Sequence, residues 1–78
     1  MKEYILMDWK GDDCFPEYYD TAEEGIKAGD RDWDHLTERE KRERRAFYLL
    51  KTVDPDPESE YHYDGDIIKD WKEEWRRK

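Results

Sequence analysis

The side chains of this sequence that most often act as nucleophiles or bases in enzymes are few and scattered. They are Cys14, His35, Ser59 and His62. A nucleophile needs a base within hydrogen-bonding reach, and no pair of these residues is close in sequence. Asp12 and Asp13 precede Cys14, and we expect their charges to raise the pKa of its thiol and to disfavour the reactive thiolate. No glycine-rich phosphate loop is present either, so we predict no catalytic residues and no enzymatic activity.

Two acidic runs resemble the opening of a calcium-binding loop. Residues 30–34 and 54–58 each place carboxylates at every second position. A loop of the EF-hand type also needs glycine at its sixth position and glutamate at its twelfth. Those positions hold His35 and Lys41 in the first run, and Ser59 and Gly65 in the second. The cysteine and the histidines lack the close spacing of zinc ligands. We therefore predict no metal and no cofactor.

The second acidic run also permits a different function. Its carboxylates alternate along the chain at Asp54, Asp56, Glu58 and Glu60. In an extended chain they would line one side about 7 Å apart, close to two phosphate steps of a nucleic-acid strand. Tyr61 and Tyr63 follow directly and would supply apolar contacts to a partner. This pattern indicates either a plain acidic linker or an inhibitor that mimics nucleic acid, as phage-type inhibitors do.

Charge is unevenly distributed along the 78 residues. The formal net charge is −8, and residues 35–53 are the one basic segment, with six bases and three acids. Its cations alternate with Glu38, Glu40 and Glu43, so they form ion pairs on a helix better than they track phosphates. An acidic surface repels nucleic acid and anionic membranes and attracts basic proteins. We expect a protein partner of basic character, and neither direct nucleic-acid binding nor membrane binding.

Composition favours a folded domain in spite of the high charge. Disordered chains are poor in aromatic residues, whereas this one has four Trp, six Tyr and two Phe. Each aromatic side chain buries about 150–250 Å², so a few of them form a small core. The single cysteine is typical of a reducing compartment, residues 1–9 are too short and too polar to predict a signal peptide, and no apolar run approaches the length of a membrane span. We expect one domain over residues 1–78, located in the cytoplasm.

The elements that would position these side chains follow from periodicity and capping. Residues 2–9 and 46–53 predict strands, because apolar and β-branched or aromatic residues dominate them. Capping sequences at Thr21 and Thr37 predict two helices, the first ending near His35 and the second covering about 38–45. A last helix, capped by Asp64 or Asp66, would place its apolar side chains on one face. These are Ile67, Ile68, Trp71 and Trp75.

This order predicts an α+β fold, β-α-α-β-α, in which a small antiparallel sheet of two or three strands packs against helices. Gly29 lies on the apolar stripe of the first helix and would permit close approach to a strand. The helices cover one sheet face, and we assign four residues to the open face. These are Tyr4, Leu6, Tyr48 and Leu50. That face requires either a third strand from residues 13–19 or a partner.

Several of these segments also resemble a known group. The chain resembles small uncharacterised bacterial proteins found near mobile elements in the run Tyr19–Glu24, then at Trp33, Leu36-Thr37, Glu40-Lys41, Phe47-Tyr48 and Asp64-Gly65-Asp66. The resemblance covers most of the chain, but its motifs are caps, a strand and a turn, so it implies a fold and no site.

Two functions are compatible with these observations. The first is a non-catalytic interaction or regulatory module that uses the open face for self-association or for a protein partner. The second is the acidic inhibitor of a nucleic-acid-binding protein. The predicted partner-binding residues are Tyr4, Leu6, Tyr48, Leu50, Asp54, Asp56, Glu58, Glu60, Tyr61 and Tyr63.

Overall fold

A computed structural model describes residues 2–78 as a four-stranded antiparallel sheet with helices on one face. In chain order the elements are β1 (Tyr4–Lys10), β2 (Asp13–Tyr19), α1 (Ala22–Asp34), α2 (Glu38–Glu43), β3 (Arg44–Thr52), β4 (Gly65–Asp70) and α3 (Trp71–Arg76). The strands lie side by side in the order β2-β1-β3-β4. The α+β class and the antiparallel sheet are confirmed, whereas the predicted number of strands was too small.

The third strand that the sequence allowed over residues 13–19 forms within the chain. It pairs antiparallel with β1 in a tight hairpin, in which Lys10 lies opposite Asp13. The two residues between them are Gly11 and Asp12, and Gly11 has a φ of 61°. A turn of this length needs a left-handed residue at its first position, which glycine adopts without steric cost.

The strands β1 and β3 form the centre of the sheet, and their register decides which side chains share a face. Leu6 lies opposite Leu49, Ile5 opposite Leu50, and Met7 opposite Tyr48. The helices pack on the face that carries Leu6 and Leu49, here called the helix face. The opposite face, here called the far face, carries the other two pairs.

The predicted grouping of Tyr4 and Leu6 with Tyr48 and Leu50 was therefore wrong. Tyr4 and Leu6 pack into the core beneath the helices, and Leu6 is fully buried there. Tyr48 and Leu50 lie on the far face. Alternation along each strand separates its two faces, but a shift of one residue between strands exchanges them.

The predicted caps of the first two helices are present. Thr21 Oγ1 accepts a hydrogen bond from Glu24 N (3.2 Å) at the start of α1. At α2, Thr37 Oγ1 accepts from Glu40 N, and the Glu40 carboxylate accepts from Thr37 N, both at 3.1 Å. The second helix ends two residues earlier than expected, because Arg44 and Arg45 already belong to β3.

Aromatic rings fill the core between the sheet and the helices, as the composition predicted. Phe47 lies at the centre, 5.2 Å from the Trp33 ring and 5.4 Å from the Trp71 ring. Gly29 does permit a close approach, but to a side chain of α3 instead of a strand. A Cβ on Gly29 would lie 2.2 Å from the Trp71 ring. The Trp71 indole N–H donates to Asp30 Oδ1 at 2.8 Å.

The last predicted helix was wrong in its first half. Residues 65–70 form β4, and the helix begins only at Trp71, with Asp70 Oδ1 accepting from Glu73 N as its cap. The spacing of Ile67, Ile68 and Trp71 fits a helix, but it also fits a strand with an irregular residue. The register of β4 against β3 shifts between Ile67 and Lys69, which accounts for that spacing.

Candidate functional site

The far face carries a shallow apolar cleft of about 300 Å³, here called the aromatic cleft. It is lined by Met7, Trp9, Cys14, Pro16, Tyr48 and Tyr63. Met7 is only 3% exposed and forms the floor, and it packs in one buried cluster with Ile5 and Leu50. Trp9 and Tyr48 are half-buried, and Tyr63 is exposed on the wall. A rigid aromatic wall above a buried apolar floor is typical of surfaces that bind other proteins.

Strand alternation places these side chains together. In β1, Met7 and Trp9 share the far face, and their partners across the hairpin are Pro16 and Cys14. Tyr48 lies opposite Met7 on the other side. The sixth residue, Tyr63, comes from the segment between β3 and β4, here called the acidic loop (residues 53–64).

At its Trp9 end the cleft contains a weakly hydrogen-bonded indole N–H and the guanidinium of Arg45. The Trp9 indole N–H donates to the Tyr48 hydroxyl over 3.4 Å, which is long for such a bond. The Arg45 guanidinium lies 5.6 Å from the Trp9 ring and 3.5 Å from the Asp12 carboxylate. A ligand carbonyl near Trp9 would therefore offer the indole N–H a shorter bond.

The acidic loop is fastened to the far face by the side chain of His62, which is 1% exposed. Its Nδ1 donates to the carbonyl of Asp54 at 3.0 Å, since a carbonyl only accepts. In the neutral ring, Nε2 is then an acceptor for the Tyr18 hydroxyl at 3.2 Å. The Thr52 hydroxyl donates to the backbone carbonyl of His62. The loop is thus held at its start, at its end and at the sheet.

Tyr18 lies between His62 and the aromatic cleft, and its hydroxyl has a raised pKa. Its hydroxyl lies 3.3 Å from that of Tyr63, and this hydrogen bond together with burial raises the pKa of Tyr18 to about 12. On the helix face, burial and the hydrogen bond to Glu17 raise the pKa of Tyr19 to about 12 as well. Both phenols hold their protons more tightly in the folded chain.

We expect a late phase in an alkaline titration followed by tyrosinate absorbance at 295 nm. Because the pKa values of Tyr18 and Tyr19 are raised by folding, their contribution to stability is complete below pH 10 and is lost as pH rises toward 12. Tyr18→Phe should remove about half of the late phase, and Tyr61→Phe, at an exposed residue, should leave it unchanged. A folded protein with no late phase would contradict this expectation.

The acids of the loop are not arranged as predicted. Hydrogen-bonded turns follow one another over residues 56–64, where the prediction required an extended row. The Asp54 carboxylate accepts from Asp56 N at 3.1 Å, and the Asp56 carboxylate accepts from Glu58 N at 3.0 Å. The hydrogen bond from Asp56 N also lowers the pKa of Asp54. These carboxylates satisfy their own backbone, as aspartate does in turns. The regular spacing that a nucleic-acid mimic requires is absent from this loop.

The structure thus gathers only some of the predicted partner-binding residues. Tyr48 and Tyr63 meet in the aromatic cleft, above the buried Leu50. Tyr61 is exposed on the acidic loop, whereas Tyr4 and Leu6 belong to the helix face. Sequence reasoning missed Met7, Trp9, Cys14 and Pro16 as cleft residues. The alternation of Met7 with Trp9 was visible, but the strand register that turns them toward Tyr48 was not.

The other side chains singled out for chemistry are Cys14 and the cations of α2. Burial raises the pKa of the Cys14 thiol, and the charge of Asp8 adds to it, so the direction agrees with the prediction although Asp12 and Asp13 are not the causes. The α2 cations are largely paired, for example Arg39 with Glu43 at 3.0 Å. Within residues 2–78, no cluster of three or more histidine, cysteine or acidic side chains is arranged to hold a metal.

A second exposed apolar patch lies at the β4 edge of the sheet, where Ile67 and Ile68 are 55% and 41% exposed. The irregular pairing of β4 disturbs the ladder there, and such irregularities limit the addition of further strands. The patch also lacks a buried floor comparable to Met7. The aromatic cleft is the better candidate for a binding site.

Comparison with known proteins gives no relatives: no family model, no curated protein and no solved structure matches this chain. None of the helices formed by residues 2–78 has the length and apolar character needed to cross a bilayer.

Proposed function

We propose that this protein is a non-catalytic interaction module that binds an extended, basic segment of another protein in the aromatic cleft. The observation that carries the proposal is the grouping of Trp9, Tyr48 and Tyr63 around the buried Met7. Tryptophan and tyrosine supply large contact areas at low entropic cost, which is why they dominate binding hot spots.

Charge supports a basic ligand. The acidic loop borders the cleft through Tyr63 and contains five carboxylates and no lysine or arginine. The whole chain has a formal net charge of −8, so a cationic segment is attracted at long range. Open, shallow walls suit an extended segment better than a compact small molecule, which usually needs a deeper pocket.

A peptide-display selection against the intact chain tests this proposal. We expect enrichment of peptides rich in lysine or arginine, with binding that weakens as salt rises. Binding of the enriched peptides should fall at least tenfold with Trp9→Ala and with Tyr63→Ala. Tyr63 is 51% exposed, so its replacement changes the cleft without removing a core residue.

Phe15→Ala is the matched control. Phe15 is an equally exposed aromatic residue (53%), but it lies opposite Asp8 on the helix face. Its replacement should leave peptide binding unchanged. Enriched peptides that bind the Trp9 and Tyr63 variants as well as the unaltered chain would overturn the assignment of the cleft, and so would a selection that yields no binder.

A further inference from the structure

The aromatic cleft is the middle of three depressions that follow the strands across the far face. The first, of about 230 Å³, is lined by Trp9, Arg45, Ala46 and Tyr48. The aromatic cleft is second, and the third, of about 360 Å³, is lined by Lys2, Tyr18, Pro55, Pro57 and His62. Cys14, Pro16 and Tyr18 run along β2 beside the second and third depressions. Alternate strand residues are about 7 Å apart, so this stretch spans about 14 Å.

Aromatic ridges separate the depressions. Trp9 and Tyr48 belong to both the first and the second, so their rings form the ridge between these two. Tyr63 lines the second and Tyr18 lines the third, and their hydroxyls are 3.3 Å apart, which closes the second ridge. The surface is therefore a row of shallow apolar troughs between aromatic walls.

Apolar troughs between aromatic walls are the kind of surface that binds a polyproline II helix. That helix has three residues per turn and rises about 3.1 Å per residue, so one of its edges repeats about every 9 Å. Proline rings on that edge enter shallow apolar troughs, and aromatic-lined grooves are the known way in which proteins recognise them. The helix is pre-organised, so a shallow site that offers few contacts loses little binding energy to ordering its ligand.

The indole N–H donor of the first ridge is compatible with the same ligand. A polyproline II backbone makes no internal hydrogen bonds, so its carbonyls are free to accept. The Trp9 indole N–H makes only a long bond of 3.4 Å to the Tyr48 hydroxyl. It would donate to a ligand carbonyl that lies across the first ridge. The Tyr63 hydroxyl at the next ridge is already hydrogen-bonded to Tyr18, so Trp9 supplies the donor to the ligand.

The charges around the three depressions indicate which end of the bound segment lies beside the acidic loop. Arg45 lines the first depression, and the acidic loop borders the third, where Lys2 is also present. The loop lines the third depression with Pro55, Pro57 and His62, and its five carboxylates alternate with or follow these residues along the chain, against that single lysine. A lysine or arginine of the ligand is therefore best placed at the end of the segment that lies by the loop.

We infer that the aromatic cleft and its two neighbouring depressions bind a proline-rich segment in the polyproline II conformation, with a lysine or arginine next to its prolines. This inference rests on the proposed function and specifies its ligand.

The test uses the consensus of the Trp9-dependent peptides obtained from the display selection. We expect prolines to be enriched at positions three residues apart beside a basic residue.

A synthetic consensus peptide and its proline-to-alanine counterpart, which have equal charge, are then titrated into the ¹⁵N-labelled full chain. The proline peptide should shift the indole N–H resonance of Trp9, and the alanine peptide should bind at least tenfold more weakly. Trp9→Phe, which keeps a ring and removes the N–H, should weaken the proline peptide while the chain stays folded.

The outcomes separate this inference from the function on which it rests. Trp9-dependent peptides without enriched prolines, or alanine peptides that bind as tightly as proline peptides, would overturn the proline-rich ligand and leave the basic-segment module standing. A selection with no Trp9-dependent peptide would overturn both.

Discussion

Replacing His62 with alanine will lower the free energy of unfolding by about 3 kcal/mol. The imidazole is buried, stacks on the Tyr18 ring at a centroid distance of 5.6 Å, and bonds both the Asp54 carbonyl and the Tyr18 hydroxyl. Its removal leaves a cavity under the acidic loop and takes one hydrogen bond from the Asp54 carbonyl and one from the Tyr18 hydroxyl. Denaturant unfolding followed by tryptophan fluorescence measures the loss.

The other histidine is a natural control for this change. His35 is exposed, and its Nδ1 reaches only the carbonyl of Arg31 at 2.7 Å, so His35→Ala should cost less than about 1 kcal/mol. His62→Asn should recover part of the loss, because an amide N–H can occupy the position of Nδ1. Equal costs at the two histidines would show that the acidic loop is not held by His62.

Replacing Asp8 with alanine will cost about 3 kcal/mol, because it leaves a cation buried without its partner. Arg44 Nε lies 2.8 Å from Asp8 Oδ1, and the two side chains are 9% and 22% exposed. Burial is the largest influence on Asp8 and raises its pKa in spite of the attraction of Arg44. Desolvation therefore outweighs attraction in this pair, and the cost of the substitution comes from the arginine that remains.

A double substitution distinguishes these contributions. Asp8→Leu combined with Arg44→Met removes both charges and keeps apolar volume, so it should be far less destabilising than Asp8→Ala. Glu43→Ala removes a carboxylate from an exposed pair with Arg39 and should change stability by less than about 0.5 kcal/mol. If the double variant were as unstable as Asp8→Ala, the buried cation would not be the source of the cost.

Local signals in the sequence predicted most of the elements. Thr21 and Thr37 cap their helices as expected, because a capping interaction involves only neighbouring residues. The aromatic content correctly indicated a small aromatic core, which the structure builds on Trp33, Phe47 and Trp71. The strand over residues 13–19 was predictable only as an alternative, since Pro16 is compatible with an edge strand or a loop.

Long-range relations were not predictable from the same signals. Which side chains share the far face depends on the residue of β1 that lies opposite Tyr48. No local sequence pattern encodes that register. The isoleucines at 67 and 68 were misassigned because an irregular strand followed by Trp71 imitates helical spacing. The acidic loop was misjudged because alternating carboxylates suggest an extended chain, whereas Asp54 and Asp56 close turns.

The strand order has a consequence for how this chain reaches its native state. The β1–β2 hairpin joins neighbours, but the central contact of the sheet, Leu6 with Leu49, connects segments roughly forty residues apart. Closing so long a loop costs conformational entropy before the packing of the core compensates for that cost. We therefore expect this step to set the folding rate. During synthesis, the hairpin must wait for β3 to leave the ribosome, and until then the apolar side chains of β1 are exposed to solvent or chaperones.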